Sequence, residues 1–410
     1  MVLDLGQGRF SFGFAPNRYF YFGGEERVSR CTPQKLQASK VQGFQCGKIS
    51  GEQRTQLESL IKEYGDVLSD KLGRTSLLEY DIQVLDKTPV RSAPYRLSPP
   101  KMQYLKGHIE ELLREGVIEP SCSHYASPMF LVPKTDGEYR AVVDYRALNK
   151  RIAIESVPLP EIHSAFHWFS GANYFTVLDL NKAYHQIPLS LKSRHLTAFC
   201  TDWNLYQFRS VPFGLATGAQ VLTRLLDRVF EGLKFDCVYH YLDDVVIYSP
   251  DFKSHLEHIR AVLGRLRKAG LTVKLSKVVF ATQEISFLGH LVSPSGVRID
   301  PERTRAIREF PIPRDVKALS RFIGMVNYYH KFIPHFADIA SPLNMLRKKG
   351  VKYFWNTPQQ KAFDILKEAI SKPPVLKMAD FSQRFILQTD ASGQALGAVL
   401  SQEDAKSVNT

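Results

Sequence analysis

The sequence predicts an α+β fold built on antiparallel sheet, and three observations carry that prediction. The stretch Tyr239-His240-Tyr241-Leu242-Asp243-Asp244-Val245-Val246-Ile247-Tyr248 sets two carboxylates between runs rich in β-branched and aromatic residues, which places the Asp pair at the bend of a hairpin. Residues 129–132 and 139–143 make a second pair of strand-like runs, joined by Pro133-Lys134-Thr135-Asp136-Gly137-Glu138 with a D-G turn. Between and beyond these hairpins lie helical patterns, such as Leu222, Leu225, Leu226 and Val229 on one face.

The 410 residues allow two to four domains or subdomains, and a hydrophobic content of 44% supports real cores. The net charge of +13 and a sequence pI near 9.4 favour a polyanionic partner, nucleic acid before anionic membrane. Five cysteines without a C-x-x-C pair argue for a reducing compartment and against a zinc module or a disulfide framework. No apolar run approaches the roughly 18 residues of a membrane span, and the N-terminus has no charged-then-apolar signal pattern. An intracellular, soluble chain without a membrane partner is the expectation.

Taken in order, residues 1–50 are rich in glycine and aromatics without periodicity, and read as a short β-ribbon or as a linker or precursor remnant. Residues 51–90 read as an N-terminal extension whose helix puts Leu57, Leu60, Ile61 and Tyr64 on one face and ends near Gly65. Pro89, Pro94, Pro99 and Pro100 force an extended crossing before a helix over 103–115, stopped by Gly116. Residues 174–180 form a strand pattern that delivers Asp179 at its end, and residues 211–215 a tight turn. Ser254-His255-Leu256-Glu257 has capping-box form and opens a helix closed by Gly270. Its outer face, with Arg260, Arg265, Arg267 and Lys268, is either solvated or in contact with a nucleic-acid backbone. Residues 287–291 read as a strand with a glycine, residues 301–310 and 315–332 as helices, and Pro342 with Arg347-Lys348-Lys349-Gly350 as a linker. Thr357-Pro358 caps a further helix, and strands follow at 385–390 and 396–400.

Adjacent carboxylates repel each other and resist desolvation, so the Asp243-Asp244 pair is either a solvated turn or a site with a counter-charge. A divalent metal ion is one way to supply it. Asp179, upstream with room for a helix and two strands between, is spaced so that all three can meet on one sheet edge.

Seven segments then stand in a familiar order: VVDYRALNK (142–150), TVLDLNKAYHQIPL (176–189), TAFC (197–200), VPFGL (211–215), YLDDVVIYS (241–249), FLGHLVSPSGVRIDPERTRAI (287–307) and NYYHKFIPHFADIASPLN (327–344). Together with ILQTDASGQALGAVLSQ (386–402) they resemble the reverse transcriptase, connecting region and opening ribonuclease H segment of the pol polyprotein of gypsy-like LTR retrotransposons, which are related to retroviruses. The resemblance covers roughly residues 50–402 and implies a right-hand polymerase with fingers, palm and thumb. Fingers and palm would span 91–270, thumb and connection 271–350, and an incomplete ribonuclease H-like domain 351–410; the basic helices after residue 254 match the thumb.

The resemblance further implies RNA-directed DNA synthesis from a primer on an RNA or DNA template, with dNTPs as substrate. The alternative is a degenerate mobile-element fragment that binds nucleic acid without polymerising. Asp179, Asp243 and Asp244 match the catalytic and metal-binding carboxylates, with the Leu180 carbonyl as a further ligand, for two Mg²⁺ ions or Mn²⁺ in their place. Lys134 and Arg140 match the residues that grip the triphosphate, Tyr184 the aromatic gate under the sugar, and Phe213 and Gly214 the turn against the incoming base. Tyr241, Leu288, Gly289 and His290 match residues beside the primer terminus. Two departures stand out. After the PFGL turn the chain reads Ala216-Thr217-Gly218-Ala219-Gln220-Val221 where relatives carry Asn-Ala-Pro then Phe-Gln, which implies altered packing. Of the four acidic ligands of ribonuclease H only Asp390 is present, with Glu403 and Asp404 in a polar tail, so RNA cleavage is not expected. Other parts of the pol polyprotein are expected partners, and a cytoplasmic particle with access to the nucleus is the expected location.

Overall fold

Three short strands, β1 (Val2–Asp4), β2 (Arg9–Phe12) and β3 (Ala15–Tyr21), open the chain as an antiparallel ribbon. The computed structural model describes residues 44–133, 137, 139–154, 164–333, 335–371, 378, 384–391 and 396–402, and the backbone of this ribbon. Next comes β4 (Gln45–Cys46), which is no linker: it adds to the edge of the central sheet, with Phe44 edge-on to Phe280 at 5.9 Å. Gly47 makes that approach possible, because a Cβ there would meet the Ala281 carbonyl oxygen at 2.5 Å. Helix α1 (Gly51–Glu63) starts at a capping box, in which Gln53 N donates to Ser50 Oγ at 3.2 Å and Ser50 N to Gln53 Oε1 at 2.8 Å. Its Leu57, Leu60 and Ile61 are buried in the main core, together with Val67, Leu68, Ile82 and Val90. The residues read as an extension are therefore part of the core.

Helix α2 (Pro99–Arg114) begins at Pro99 rather than at Gln103, since prolines fit the first turn, whose N–H groups have no intrahelical partner. Then follow β5 (Ile118–Pro120), β6 (Ser127–Pro133), β7 (Tyr139–Val143) and α3 (Arg146–Asn149). The two strands pair as a hairpin, with Met129 opposite Val143 and Pro133 opposite Tyr139; Asp136 of the expected D-G turn lies outside the described residues. After β8 (Tyr174–Asp179) and α4 (Leu191–Arg194), strands β9 (Phe199–Cys200) and β10 (Leu205–Phe208) complete a sheet of order β5-β10-β9-β6-β7.

Helix α5 (Gly218–Val229) leads into β11 (Val238–Tyr241) and β12 (Asp244–Ser249), the hairpin around the Asp pair. Helix α6 (Phe252–Lys268) and β13 (Val279–Thr282) close the central sheet, order β11-β12-β8-β13-β4. Both faces of this sheet are covered, and its residues alternate between two cores. Leu178, Val245 and Ile247 pack with α5 and α6, while Phe175, Tyr239, Val246 and Tyr248 pack against the C-terminal part of the chain.

Two readings of α6 change. Its cap is Asp251, whose Oδ1 accepts from Ser254 N at 3.0 Å, because the helix starts earlier than Ser254. Two of its outer cations are engaged within the fold: Arg260 with Glu63 at 3.2 Å and Arg267 with Asp66 at 2.5 Å, Arg267 also lying 4.2 Å over the Tyr64 ring. Ile259, Val262, Leu263 and Leu266 are fully buried, each contributing roughly 1.5–3 kcal/mol. This helix supports the central sheet and is not part of a thumb.

Strands β14 (Ile285–Phe287), β15 (His290–Ser293) and β16 (Gly296–Ile299) form a separate meander. Residues 287–291 are thus two strands with a two-residue turn, not one strand. Helices α7 (Pro301–Arg308), α8 (Val316–Asn327), α9 (Phe336–Met345) and α10 (Thr357–Ser371) pack into the second core through Ile307, Leu319, Phe322, Leu343 and Phe363. Pro342 lies inside α9, which buried Ala340 and Leu343 hold in place, so the linker begins only after it. The last pair, β17 (Ile386–Ala391) and β18 (Leu396–Ser401), sets Asp390 opposite Gly397; Glu403 and Asp404 lie outside the described residues. Among the described residues no helix is long and apolar enough to cross a membrane.

Candidate active site

The register of the central sheet brings the predicted carboxylates together. Across the β8–β12 pair Asp244 stands directly opposite Asp179, and across β11–β12 it stands opposite Tyr241. Leu242 and Asp243 are the two turn residues of that hairpin. Leu242 has φ 56°, a left-handed backbone that a branched side chain adopts only at a local penalty. Asp179 and Asp243 are half-buried and Asp244 is exposed, an arrangement open to a ligand from the sheet edge.

A positive charge already sits on this edge. Lys277 Nζ donates to Asp179 Oδ2 at 2.8 Å, and Lys274 N donates to the Asp179 carbonyl at 3.3 Å. Nothing in the sequence marked Lys277. The donors on this edge are hard carboxylate oxygens, which suit Mg²⁺, and one of them, Asp179, already pairs with a cation in Lys277. Among the described residues no three acidic, His or Cys side chains are yet converged on one point.

The segment after Asp179 is held by a buried amide. Gln186, fully buried, donates from Nε2 to the Asn181 carbonyl at 2.7 Å and the Thr272 carbonyl at 2.9 Å, and accepts from Thr272 N at 2.8 Å. It behaves as an extra strand segment, continuing the ladder past Asp179, where Leu180 bridges Val273. Asn181 Nδ2 adds a bond to the Asp70 carbonyl at 2.9 Å. Both residues lie in a segment whose order was recognised, yet neither was singled out, because a buried amide has no sequence signature.

Tyr184 stands edge-on to Phe213 with ring centroids 5.0 Å apart, and a Cβ on Gly218 would touch its ring at 3.3 Å. Phe213 and Gly214 are exposed on the turn. Asn149, also missed, clamps that turn from both sides: Nδ2 donates to the Gly214 carbonyl and Oδ1 accepts from Ala216 N, each at 2.9 Å. Behind the wall, His185 stacks on Phe208, and complete burial lowers its pKa to about 4. Arg140 is exposed on β7, in the other sheet, and Lys134 lies outside the described residues.

Tyr241 is half-buried beside the Asp pair, and Leu288 and Gly289 form the two-residue tip of the β14–β15 hairpin. His290 departs from expectation. Its ring is fully buried, 5.0 Å from Phe166 and stacked on Phe332 at 5.7 Å, so it supports the hairpin from within and does not face a primer.

Residues 132–292 match the family described as Reverse transcriptase (RNA-dependent DNA polymerase), and residues 355–409 the RNase H-like domain found in reverse transcriptase. The chain carries a reverse transcriptase domain. It is 34% identical over 358 residues to the retrovirus-related Pol polyprotein from transposon 412 of Drosophila melanogaster, an alignment covering 85% of this chain and 29% of that protein. The Pol polyprotein from transposon 297 of the same organism is 32% identical over 386 residues, covering 92% of this chain and 36% of the relative. The Tf2-3 polyprotein of Schizosaccharomyces pombe is 32% identical over 378 residues, covering 90% and 28%. The chain thus spans about a third of the length of these relatives. Among solved structures, the foamy viral protease-reverse transcriptase in complex with dsDNA superposes with a TM-score of 0.79 at 22% identity, over 87% of this chain and 75% of that one. The same viral protein in complex with an RNA/DNA hybrid gives 0.72 at 22% identity, over 84% and 47%. The fold of this reverse transcriptase domain is therefore the right-hand polymerase, with the central sheet as palm.

Proposed function

We propose that the chain is an RNA-directed DNA polymerase that extends a primer with dNTPs on an RNA or DNA template. The observation that carries this is the pairing of Asp244 with Asp179 across β8–β12, with Asp243 in the adjoining turn and the Tyr184–Phe213 wall beside the loop that follows Asp179. Reverse transcriptases use divalent metal ions, and here Asp179, Asp243, Asp244 and the Leu180 carbonyl would hold two Mg²⁺, with Mn²⁺ able to take their place. Bound there, the ions would supply Lewis-acid activation of the primer hydroxyl and neutralisation of the triphosphate. The chain's own residues then orient the reactants. Arg140, with Lys134, takes the triphosphate, where a planar guanidinium suits phosphate oxygens. Tyr184, propped by Phe213 and Gly218, closes the space under the sugar and disfavours a 2′-hydroxyl. Tyr241 and the Leu288-Gly289 tip flank the primer end. The excess of positive charge supports a duplex partner, as do the foamy viral complexes.

Primer extension on poly-rA with oligo-dT, dTTP and Mg²⁺ tests the reading, and no incorporation by folded protein would overturn it. Tyr184→Ala tests the sugar gate. Relative use of rNTP over dNTP is expected to rise by at least about tenfold, the discrimination of one well-placed steric contact. An unchanged ratio would remove Tyr184 from that role.

A further inference from the structure

One stripe of α2 is arranged in a way that core packing does not require. Tyr104, His108, Glu111 and Glu115 follow one another at helical spacing, beside the buried Leu105, Ile109 and Leu112. Glu111 and Glu115 sit one turn apart at the C-terminal end of the helix, a like-charged pair at the negative end of its dipole and unfavourable by itself. One cation answers both. Lys182 Nζ donates to Glu115 Oε1 and Oε2 at 2.8 and 2.9 Å and to Glu111 Oε1 at 3.2 Å. Partial burial disfavours the ammonium, but the two glutamates reverse this and its pKa is raised. Lys182 belongs to the loop directly after Asp179, and its backbone is left-handed at φ 46°, a conformation that a lysine adopts only where its surroundings impose it.

The other end of the stripe reaches the second sheet. Tyr104 stacks on His108, at 6.4 Å and 15°, and its hydroxyl donates to the Tyr139 carbonyl at 2.6 Å. His108 Nδ1 lies 3.7 Å from Glu111 Oε2, which links the two ends. Tyr139 directly precedes Arg140 on β7. A row of side-chain contacts, two hydrogen-bonded ends joined through the Tyr104–His108 ring stack and the neighbouring Glu111, thus runs from the loop after Asp179 to the strand that carries Arg140, along about 16 Å of helix at 1.5 Å per residue.

We propose that Lys182 and this face of α2 are positioning residues that fix the distance between the carboxylate edge and the triphosphate-gripping hairpin, an inference that rests on the polymerase reading above. Lys182 acts through the glutamates and Tyr104 acts through the Tyr139 backbone. Their loss would loosen Arg140 relative to Asp179 and weaken dNTP capture before it slowed the chemical step.

Two measurements test this on the full chain. In primer extension, Lys182→Met and the Glu111→Gln/Glu115→Gln double variant are expected to raise KM for dNTP about fivefold to tenfold with kcat within about twofold. Tyr104→Phe, which removes one hydroxyl, is expected to raise KM in the same sense and to be non-additive with Lys182→Met. Lys182→Arg should restore the wild-type KM. In hydrogen exchange without substrate, Lys182→Met is expected to speed exchange of the β6–β7 amides at least about threefold at an unchanged thermal midpoint. Unaltered β6–β7 exchange, or a fall in kcat at constant KM, overturns the proposal. If wild-type protein fails to extend a primer, the polymerase reading falls, while the exchange result still decides whether the α2 stripe couples the two sheets.

Discussion

Two hairpin tips in this molecule have the same length and are built differently. The β11–β12 turn is Leu242-Asp243, and the β14–β15 turn is Leu288-Gly289. Both leucines are left-handed, at φ 56° and 50°. In the second tip Gly289 follows at φ 79°, so both turn residues have the positive φ that matches a tight turn to the twist of its strands. In the first, only Leu242 is left-handed, and an aspartate stands where the other tip has glycine. Each tip thus accepts one left-handed leucine, and the difference lies in the second turn residue: a glycine where φ is positive, and at ordinary φ an aspartate that presents a carboxylate.

The largest effect should come from removing the carboxylate that the first tip presents. Asp243→Asn is expected to lower primer extension by at least about 10³-fold, the order of several kcal/mol that metal-assisted charge stabilisation supplies. Binding of a template–primer duplex and the thermal midpoint should stay near wild type. Near-normal turnover by this variant would show that the tip is only a turn.

Exchanging the turn chemistry sharpens the contrast. Gly289→Ala is expected to destabilise by about 1–2 kcal/mol, since a Cβ there has room, with only Arg303 Cγ at 3.9 Å, and the penalty is purely conformational. Leu242→Gly removes the corresponding penalty at the other tip, so its stability should stay within about 1 kcal/mol of wild type while the carboxylate loses a fixed backbone. Denaturant unfolding and extension rate, measured together, separate the two. Equal stability losses at both tips would mean that their backbones are alike in cost.

How legible these features were depended on whether the chemistry is local. The Asp243-Asp244 hairpin, the strand ending at Asp179 and the pairing of residues 129–133 with 139–143 were readable, because the runs that form them lie close together in the chain. The Leu288-Gly289 turn was read as continuous strand, since leucine is a poor signal for a left-handed turn. Lys277 on Asp179, Gln186 on Thr272 and Asn149 on Gly214 were invisible, because each contact joins distant segments. The same holds for α6, whose basic face left solvation and nucleic-acid contact open, and whose Arg260 and Arg267 prove to meet Glu63 and Asp66 of a distant segment.

The supports beneath the two hairpins differ as well: one buried histidine is held by rings, the other by hydroxyls. His290 lies under the second hairpin in a cage of aromatic rings. His255 lies behind the first, fully buried, with Nε2 2.8 Å from Thr176 Oγ1 on β8 and Nδ1 2.8 Å from Ser249 Oγ on β12. Burial, aided by the nearby His258, lowers the His255 pKa to about 3. The folded protein therefore holds this ring neutral, whereas the unfolded chain takes up a proton near pH 6.5. Stability from this group is complete above about pH 6.5 and is lost as pH falls toward 3, where the unfolded state binds the extra proton. Between pH 6.5 and 5 the loss should be about 2 kcal/mol, read as a lower urea midpoint at constant m-value. His255→Gln removes the titrating group while keeping polar atoms for Thr176 and Ser249, so its midpoint should change less over that range. A slope identical to wild type would assign the acid sensitivity to other groups and remove His255 as its source.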